Sequence, residues 1–330
     1  MKKFLSIQKG RHLLSLKDFK PAEICELLRV GHELKARHAN RYDAADPTNT
    51  GCYHKPLAGE SLAMIFQKRS TRTRVSSETG FNMLGGHALF LGSDDIQLGV
   101  NESVLDSARV LSRFNSLILA RVFGHEDIVE IANESSVPVI NALSEKYHPL
   151  QILADLMTLQ EHMGEDLSGM KVAWVGDGNN ILHSLMVALP KLGIDLAIAT
   201  PAGYEPDNDV MEIAKSDSQI YGSRVEHTTN PLDAVAGCDV VVTDTWVSMG
   251  QEEEAAKRLK DFEGYQVTKQ MMSVANPDWR FLHCLPRKPY EVDDDVFYDD
   301  QRSLVWDEAE NRMWSVMGVF MMQLRGTSAL

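Results

Sequence analysis

Apolar residues in the first half of the chain recur with the spacings of alternating helices and strands. Residues 18–38 carry apolar side chains three or four positions apart among Glu, Arg and Lys, which predicts an amphipathic helix that serves as scaffold. The apolar run 61–66 predicts a short strand, and a polar loop then leads to a helical pattern over 70–83. Further strand-like runs cover 117–122 and 137–143, each after a helical segment. Strands that alternate with helices in this way predict a parallel sheet covered on both faces.

The second half of the chain repeats this alternation with a different sequence. Its predicted buried strands are Lys171–Gly176, Asp195–Thr200, Cys238–Thr243 and Trp279–Leu285. Because helical segments separate these runs, a second parallel sheet is expected.

The length of the chain and two long helices predict a two-domain organisation. At 330 residues the chain exceeds the roughly 250–300 at which one hydrophobic core stops growing, so two domains with a cleft between them are expected. A helix over Leu150–His162, opened by Pro149, is predicted to connect them. The predicted domains are 1–149 and 150–308, with a C-terminal helix within 309–330 packing back on the first. We therefore predict an α/β fold of two domains, each a parallel sheet flanked by helices, bridged by helices, with the functional site in the cleft.

Composition places the chain among soluble globular proteins. Hydrophobic residues make up 44% and charged residues 24%, and no apolar run approaches the roughly 18 residues of a membrane span. The start, MKKFLSIQKGRHLL, lacks an Arg-rich, acid-poor transit pattern, so a cytoplasmic location is expected. The four cysteines form no Cys-x-x-Cys pair, which favours reduced thiols over a disulfide framework or a zinc site.

The charge of the chain is negative overall and positive at one point. A net charge of −14 argues against a nucleic-acid or anionic-membrane binder, because both need a basic face. Four cationic residues nevertheless crowd into one short segment: Lys68, Arg69, Arg72 and Arg74. This segment is the first indication of an anionic ligand. The charged stretch Gln251–Lys260 (QEEEAAKRLK) is interpreted as a solvated helix.

The segment Ser70–Arg74 (STRTR) follows a predicted strand and opens a predicted helix. Backbone N–H groups, three hydroxyls, two guanidiniums and the positive end of a helix dipole therefore meet at one point. Arginine suits this place because its planar fork forms bidentate bonds to phosphate oxygens. The alternative is an ordinary N-cap followed by surface arginines, but the density of donors favours a phosphate site.

Two polar side chains, His148 and Gln151, lie at the start of the predicted connecting helix. Their spacing lets both point past the same helix start. A neutral imidazole and a carboxamide can both donate hydrogen bonds to a carbonyl oxygen on which charge develops. A structural histidine with an exposed glutamine is an equally good interpretation of this pair alone.

The turn Gly176–Ile181 (GDGNNI) after a predicted strand partly resembles a dinucleotide-binding fingerprint. An NAD-linked dehydrogenase is therefore one alternative. The match is poor, because Ile181 stands in place of the third glycine and the next strand ends in Ala199-Thr200-Pro201 without an acidic residue for a ribose. The glycines fit a tight turn that offers Asn179 or Asn180 to a small polar ligand.

Asp244 follows another predicted strand, in the segment Asp244–Gly250 (DTWVSMG). Ligands of open α/β sheets gather beyond the carboxyl ends of strands, so this carboxylate could hold an ammonium group. Core packing is the more ordinary role of Trp246 and Met249.

The segment His283–Arg287 (HCLPR) ends the last predicted strand, with cationic residues on either side of the thiol of Cys284. Neighbouring positive charge lowers a thiol pKa, so a Cys-His nucleophile, and with it a hydrolase or acyl transferase, is a further alternative. Against it, adjacent residues on a strand point to opposite faces, so His283 cannot easily activate Cys284.

Together these segments resemble the aspartate and ornithine carbamoyltransferase family over about residues 13–324. The resemblance rests on seven ordered blocks: FQKRSTRTRVSSETGF (66–81), DDIQLGVNES (94–103), HPLQILADLMTLQEH (148–162), GDGNN (176–180), DTWVSMGQEEE (244–254), HCLPRKP (283–289) and EAENR (308–312). The Ser-Thr-Arg-Thr and His-Pro-x-Gln blocks mark the whole family. The Asp-x-x-x-Ser-Met-Gly and His-Cys-Leu-Pro blocks mark its ornithine-type members, which use ornithine as the acceptor.

The resemblance assigns roles to individual residues. It implies that carbamoyl phosphate is bound by Ser70, Thr71, Arg72, Thr73, Arg121, His148, Gln151, Cys284, Leu285 and Arg312. It implies that ornithine is bound by Asn180, Asp244, Ser248 and Met249. It makes Cys284, Arg121, His148 and Asp244 the catalytic residues.

The implied activity is transfer of the carbamoyl group of carbamoyl phosphate to the δ-amine of ornithine, giving citrulline and phosphate in arginine metabolism. A neutral amine attacks the carbamoyl carbon, hydrogen-bond donors hold the oxyanion, and neither a metal nor a redox cofactor is needed. Asp244 and Cys284 are the candidates for the proton transfer that the amine requires, and the sequence does not choose between them. The family resemblance also implies a homotrimer or a higher assembly of trimers.

Overall fold

The computed structural model of the protein describes residues 10–40, 55–93, 103–248 and 251–326. The chain divides into two compact units, the first formed by Met1–Met157 with Glu310–Leu330 and the second by Thr158–Ala309. The corresponding boundaries predicted from the sequence are residues 149 and 308.

Each unit is built on one parallel sheet. The strands are β1 (Ser61–Phe66), β2 (His87–Gly92), β3 (Leu117–Arg121), β4 (Val139–Leu143), β5 (Lys171–Val175), β6 (Asp195–Ala199), β7 (Val225–Thr228), β8 (Val240–Thr243) and β9 (Arg280–His283). The first unit has the strand order β2-β1-β3-β4 and the second has β7-β6-β5-β8-β9. All described strand pairs are parallel, so the predicted two-domain α/β fold is confirmed.

Helices connect the strands and cover the sheets. They are α1 (Pro21–Ala39), α2 (Thr71–Met83), α3 (Val104–Phe114), α4 (His125–Glu134), α5 (Pro149–Met163), α6 (Asn180–Ala188), α7 (Asn208–Tyr221), α8 (Pro231–Val235), α9 (Ala255–Asp261), α10 (Asp294–Phe297) and α11 (Val305–Arg325). None of the helices in the described ranges combines the length and the apolar character that crossing a bilayer requires.

Two strands, β2 and β7, are absent from the sequence-based prediction. Both lie at the edge of their sheets, and both carry exposed positions among their side chains. Leu89 of β2, for example, is 42% exposed. An edge strand that is only partly buried lacks the continuous apolar run by which a central parallel strand is recognised.

The C-terminal helix α11 packs closely into the core of the first unit. A Cβ atom on Gly80 of α2 would lie only 2.7 Å from Cγ of Met317, and one on Gly318 would lie 2.8 Å from the carbonyl oxygen of Leu27. Phe320 packs edge-to-face on Phe81 with ring centres 5.2 Å apart. The two glycines therefore allow a close approach that a larger residue would prevent. In this packing Arg312 of α11 reaches Thr73 in the first turn of α2.

Candidate active site

Both sheets reverse their strand order beside the strands that carry the predicted site residues. In the first unit the chain passes from β1 to its neighbour β2 and then to β3 on the other side of β1. In the second it passes from β5 through β6 to β7 and then returns to β8 on the other side of β5. Ligands of open α/β sheets bind beyond the carboxyl ends of strands at such switch points. Each unit therefore has its own candidate binding region.

The predicted phosphate cradle of the first unit lies in one turn at the start of α2. The side chain of Ser70 caps the helix by accepting a hydrogen bond from the backbone N–H of Thr73 at 3.3 Å. Thr71 is exposed, Arg72 is half-buried and Thr73 is buried. The apolar strand β1 thus leads through a short loop to a helix start whose amide groups and dipole favour an anion.

Arg121 ends β3, beside the strand that leads into the cradle. Its backbone pairs with Phe66, the last residue of β1, and its carbonyl accepts a hydrogen bond from the N–H of Gln67 at 2.9 Å. The pairing of β3 with β4 shifts register between Ala120 and Arg121. Such an irregularity bends a strand end and re-aims its side chain. Arg121 is only 6% exposed, so its guanidinium lies within the unit.

His148, immediately before α5, is held neutral. It is 4% exposed. Burial lowers the pKa of the imidazole well below its ordinary value, and the charges of Arg312, Arg121 and Arg72 lower it further. Three guanidiniums are therefore close enough to act on this one ring. A neutral imidazole keeps a proton on one nitrogen, which it can donate to a carbonyl oxygen.

A buried chain of hydrogen bonds joins the start of α2 to α5 and α11. Arg312 donates through Nη1 to Oε1 of Gln151 and through Nη2 to Oγ1 of Thr73, the second at 3.2 Å. Nε2 of Gln151 in turn donates to Oδ1 of Asp155 at 2.8 Å. All four residues are 3% exposed or less. Together with Arg121 and His148, these residues form what we name the anion cluster.

Asp155 is a member of the anion cluster that the sequence analysis missed. It lies four residues after Gln151 on the same helix, a spacing at which side chains on a helix meet. This Gln-to-Asp spacing in HPLQILAD was the signal that could have identified it. Its carboxylate fixes the orientation of the Gln151 amide, because only the nitrogen end of an amide can donate to it.

Replacing His148 with Gln is expected to make the unfolding free energy fall less steeply as the pH is lowered below 6.5. The unfolded chain carries a histidine of ordinary pKa, 6.5, whereas the folded protein holds His148 neutral to well below that pH. Below 6.5 the unfolded state therefore binds more protons, so the wild type loses up to about 1.4 kcal/mol of unfolding free energy per pH unit. Above 6.5 this contribution is fully present. Urea unfolding between about pH 5 and pH 7 measures the slope, and equal slopes for both proteins would contradict the assignment.

In the second unit, Asp244 lies at the centre of the other candidate region. The thiol of Cys284 donates a hydrogen bond to Oδ1 of Asp244 at 2.9 Å, and Nδ2 of Asn179 donates to Oδ2 at 3.0 Å. Asp244 follows β8, Cys284 follows β9 and Asn179 lies in the turn after β5. The three residues therefore come from the carboxyl ends of three adjacent strands, and we name them the acceptor cluster.

The environment of Asp244 makes its carboxylate more basic than usual. Burial raises the pKa of Asp244, and the positive influence of His283 and the hydrogen bond from Cys284 partly offset that rise. A buried carboxylate with a raised pKa takes up a proton more readily than a solvated one. Its two neighbours Cys284 and Asn179 both donate hydrogen bonds to it, so Asp244 is the group in this cluster that can accept a proton from a ligand.

Both ring nitrogens of His283 have partners other than the thiol of Cys284. Its Nε2 lies 3.2 Å from Oε2 of Glu291, and its Nδ1 accepts a hydrogen bond from the N–H of Leu285 at 2.9 Å. The thiol of Cys284 donates to Asp244 instead. Leu285 has the left-handed φ of +60°, a conformation that costs a non-glycine residue on the order of 1 kcal/mol or more. This geometry disfavours the alternative of a Cys-His nucleophile.

The oxygen, nitrogen and sulfur atoms of Asp244, His283 and Cys284 lie within 4.8 Å of one another, so this group could hold a metal ion. Both ring nitrogens of His283 are already engaged, one with Glu291 and one with a backbone N–H. A metal would have to displace one of these contacts. The sequence-based expectation of a reaction without metal stays a prediction.

The other predicted ornithine contacts come from two segments, the turn after β5 and the loop after β8. Asn180 is the first residue of α6, whereas its neighbour Asn179 caps that helix by accepting hydrogen bonds from two backbone N–H groups and also donates to Asp244. Ser248 is half-buried, and its N–H donates to Oε1 of Gln251 at 3.0 Å. Met249 lies outside the described residues, as does most of the block 94–103.

The turn that resembles a dinucleotide fingerprint is used for packing within the second unit. The N–H of Gly178 donates to the carbonyl of Tyr204 at 2.9 Å. A Cβ atom on Gly178 would lie 2.5 Å from the backbone of Glu205. The glycine is therefore required by the close approach of another chain segment, and its N–H is directed at that segment rather than at a pyrophosphate.

Comparison with known proteins assigns both units to one family. Residues 11–161 match the carbamoyl-P binding domain of aspartate/ornithine carbamoyltransferase, and residues 168–323 match the Asp/Orn binding domain. Since the two matches cover most of the chain, the protein belongs to the aspartate/ornithine carbamoyltransferase family. The family inferred from the sequence blocks is thereby confirmed.

Individual relatives of this chain are ornithine carbamoyltransferases. The mitochondrial ornithine transcarbamylase of Gallus gallus is 54% identical over 94% of this chain and 85% of its own length. The mitochondrial ornithine carbamoyltransferase of Aquarana catesbeiana is also 54% identical, over 94% of this chain and 86% of its own. The ornithine carbamoyltransferase structure from Pyrococcus furiosus matches with a TM-score of 0.89 and 46% identity, over 96% of this chain and 97% of that one.

The expectation of a cytoplasmic protein is wrong. It rests on the absence of an Arg-rich, acid-poor pattern at the start of the chain. Two curated relatives at 54% identity are named mitochondrial, and this finding contradicts the expectation. The composition of a short N-terminal stretch was too weak a signal to decide a compartment.

Proposed function

We propose that this protein transfers the carbamoyl group of carbamoyl phosphate to the δ-amino group of L-ornithine, giving L-citrulline and phosphate. The observation that carries the proposal is the presence of both chemical requirements, each at the switch point of its own sheet. The anion cluster of the first unit is cationic and buried, and the acceptor cluster of the second unit is centred on the carboxylate of Asp244. The ornithine-type names of the relatives support the choice of acceptor.

The start of α2 and the anion cluster together suit both parts of carbamoyl phosphate. Arg72 and the start of α2, with Ser70, Thr71 and Thr73, bind the phosphate, because guanidinium and helix N–H groups form charge-assisted hydrogen bonds to it. His148, with Arg121, donates to the carbamoyl oxygen, where charge develops during attack. Gln151 and Arg312 complete this group in our assignment, and Cys284 and Leu285 remain proposed carbamoyl contacts from the family resemblance.

The acceptor cluster suits an amine. Asp244, Asn180, Ser248 and Met249 are the proposed ornithine contacts, and the position of Asn179 adds a residue that orients Asp244. An alkyl ammonium has a reference pKa near 10.4, so it must lose a proton before it can attack. The sequence left two candidates for the proton acceptor, Asp244 and Cys284. We assign this role to Asp244, because Cys284 keeps its own proton and donates it in a hydrogen bond to Asp244.

The proposed reaction needs no covalent intermediate on the protein. The neutral amine forms a bond to the carbamoyl carbon, the bond from that carbon to the phosphate oxygen breaks, and phosphate leaves. Asp244 takes the first proton from the ammonium before attack, and the second proton on the new nitrogen passes to the departing phosphate, so charge and atoms balance. A role in arginine metabolism and assembly as a homotrimer are further proposals that rest on the family resemblance.

An assay of citrulline formation tests the proposed function directly. With carbamoyl phosphate as donor, ornithine is expected to be used far better than aspartate, putrescine or N-acetylornithine. Turnover is expected to survive exhaustive chelation, and titration with NAD is expected to reveal no binding. Activity with a different amine alone would overturn the choice of acceptor, and metal-dependent turnover would contradict the mechanism.

A further inference from the structure

Arg258 is a buried arginine that lies outside the residues assigned to either substrate. It is part of α9, within the charged stretch Gln251–Lys260, which the sequence analysis interprets as a solvated helix. Several neighbours in α9 are exposed as that interpretation expects, but Arg258 is only 4% exposed. A guanidinium is costly to remove from water unless its donors are matched by partners, so its contacts identify its role.

The guanidinium of Arg258 joins two separate segments of the second unit. Its Nη2 donates to Oδ2 of Asp177, forming a buried ion pair. Its Nε donates to the carbonyl oxygen of Trp246. The ring of Tyr204 lies under it, with the guanidinium carbon 4.7 Å from the ring centre. One residue therefore forms an ion pair, a hydrogen bond to backbone and a cation–π contact at the same time.

The backbone of Trp246, which accepts a hydrogen bond from Arg258, has a second buried contact at its N–H group. The N–H of Trp246 points to Oε1 of Glu291 at 3.4 Å, while its carbonyl accepts from Arg258. Trp246 is 3% exposed and packs against Phe262 and Tyr290, each with ring centres 5.3 Å away. A buried cation and a buried anion thus hold the two backbone polar groups of a single residue.

Both segments joined by Arg258 carry residues of the acceptor cluster. Trp246 lies between Asp244 and Ser248 in the loop after β8. Asp177 lies in the turn after β5, two residues before Asn179, which donates to Asp244. Loss of Arg258, which links Asp177 to Trp246, would therefore move Asp244 and Asn179. Arg258 itself is not among the residues assigned to carbamoyl phosphate or to ornithine.

We propose that Arg258 is a positioning residue for the acceptor: it holds the loop 244–248 against the turn 176–180 and so sets the place of the ornithine-binding groups. This inference rests on the proposed function, since it concerns the same acceptor region. The anion cluster belongs to the other compact unit and contains none of these contacts, so we expect loss of Arg258 to weaken binding of carbamoyl phosphate far less than binding of ornithine.

Arg258→Gln tests the inference, with Lys260→Gln as the matched control. The control removes the same charge from an exposed position of the same helix. Arg258→Gln is expected to raise KM for ornithine by about 10- to 100-fold, while Kd for carbamoyl phosphate, measured by calorimetry, stays within about threefold of the wild type. Lys260→Gln is expected to leave both constants unchanged. A merely structural role would lower the melting temperature without separating the two substrates.

Two milder variants keep the test decisive if Arg258→Gln fails to fold. Arg258→Lys keeps the charge but not the fork, so its KM for ornithine is expected to lie between those of the wild type and Arg258→Gln. Asp177→Asn removes the other half of the ion pair and is expected to raise the same KM by about tenfold. Both changes break the same ion pair between Asp177 and Arg258. The double variant Asp177→Asn with Arg258→Gln is therefore expected to have a KM for ornithine no higher than that of Arg258→Gln alone.

The outcomes separate this inference from the proposed function. An unchanged KM for ornithine in the folded variants, or an equal loss of affinity for both substrates, would overturn the role of Arg258 and leave the transferase activity standing. Failure of the wild-type protein to form citrulline from ornithine would instead overturn the proposed function.

Discussion

Arg312→Gln is expected to lower kcat/KM for carbamoyl phosphate by about 100- to 10,000-fold. Arg312 is 3% exposed and donates to both Thr73 and Gln151, so its loss removes a charge from the anion cluster and leaves the oxygen of Gln151 without this donor. Losing charge-assisted hydrogen bonds in a buried site costs about 3–5 kcal/mol, which corresponds to that range of rates. Steady-state kinetics with ornithine saturating and carbamoyl phosphate varied measures the effect.

A control for Arg312→Gln is available on the same helix. Arg325, in the last turn of α11, pairs with Glu60 and lies thirteen residues after Arg312, or about 20 Å along the axis. Arg325→Gln is therefore expected to change stability slightly and kinetics little. An Arg312→Gln protein that binds carbamoyl phosphate as tightly as the wild type would remove Arg312 from the anion cluster as a ligand.

Asp244→Asn is expected to lower kcat by about 1,000-fold or more, while carbamoyl phosphate still binds. Asparagine has nearly the same shape, and its single carbonyl oxygen can still accept from Cys284 although no second oxygen remains for Asn179, but it cannot take a proton from an ammonium. The buried carboxylate with its raised pKa is therefore lost without a large change of packing. Rapid-quench measurement of citrulline, together with calorimetric binding of carbamoyl phosphate, separates the chemical step from binding.

Cys284→Ala is the companion variant that distinguishes a proton-transfer role from nucleophilic catalysis. If Cys284 only orients Asp244, the variant is expected to retain measurable turnover, reduced by about 10- to 100-fold, with weaker use of ornithine and a shifted pH profile. A covalent intermediate would require complete loss of activity in this variant. A stoichiometric adduct on Cys284, detected by mass spectrometry after incubation with carbamoyl phosphate alone, would refute the assignment.

The local segments of the fold were accessible from the sequence because their signals are local. A central parallel strand such as β1 is buried on both faces, so its apolar run marks it without knowledge of its neighbours. Ser70 likewise predicted a helix cap at the start of α2, because its partner, the N–H of Thr73, lies only three residues further on. The edge strands β2 and β7 escaped prediction because an exposed edge relaxes the requirement for apolar residues.

The candidate site divides in the same way. Residues of a continuous motif, such as Arg72 and His148, could be proposed from residue type and position, and the family resemblance added Arg121 and Arg312 from more distant blocks. Asp155 was missed because its spacing from Gln151 indicates a functional contact only once both side chains are known to be buried. Arg258 was assigned to solvent because the residues around it are charged, and charge patterning alone cannot identify which member of a run is turned inward.

The alternation of strands and helices, the two-domain α/β class and the chemical character of the segments that end the strands all follow from the order of residues along the chain. The hydrogen-bond partners became known from the folded chain: Cys284 donates to Asp244 rather than to His283, Asn179 also donates to Asp244, and Arg312 reaches Thr73 across 239 positions of the chain. The physical reason is that secondary structure follows from the periodicity of neighbouring residues, whereas hydrogen bonds and pKa shifts depend on burial and on groups that are distant in sequence.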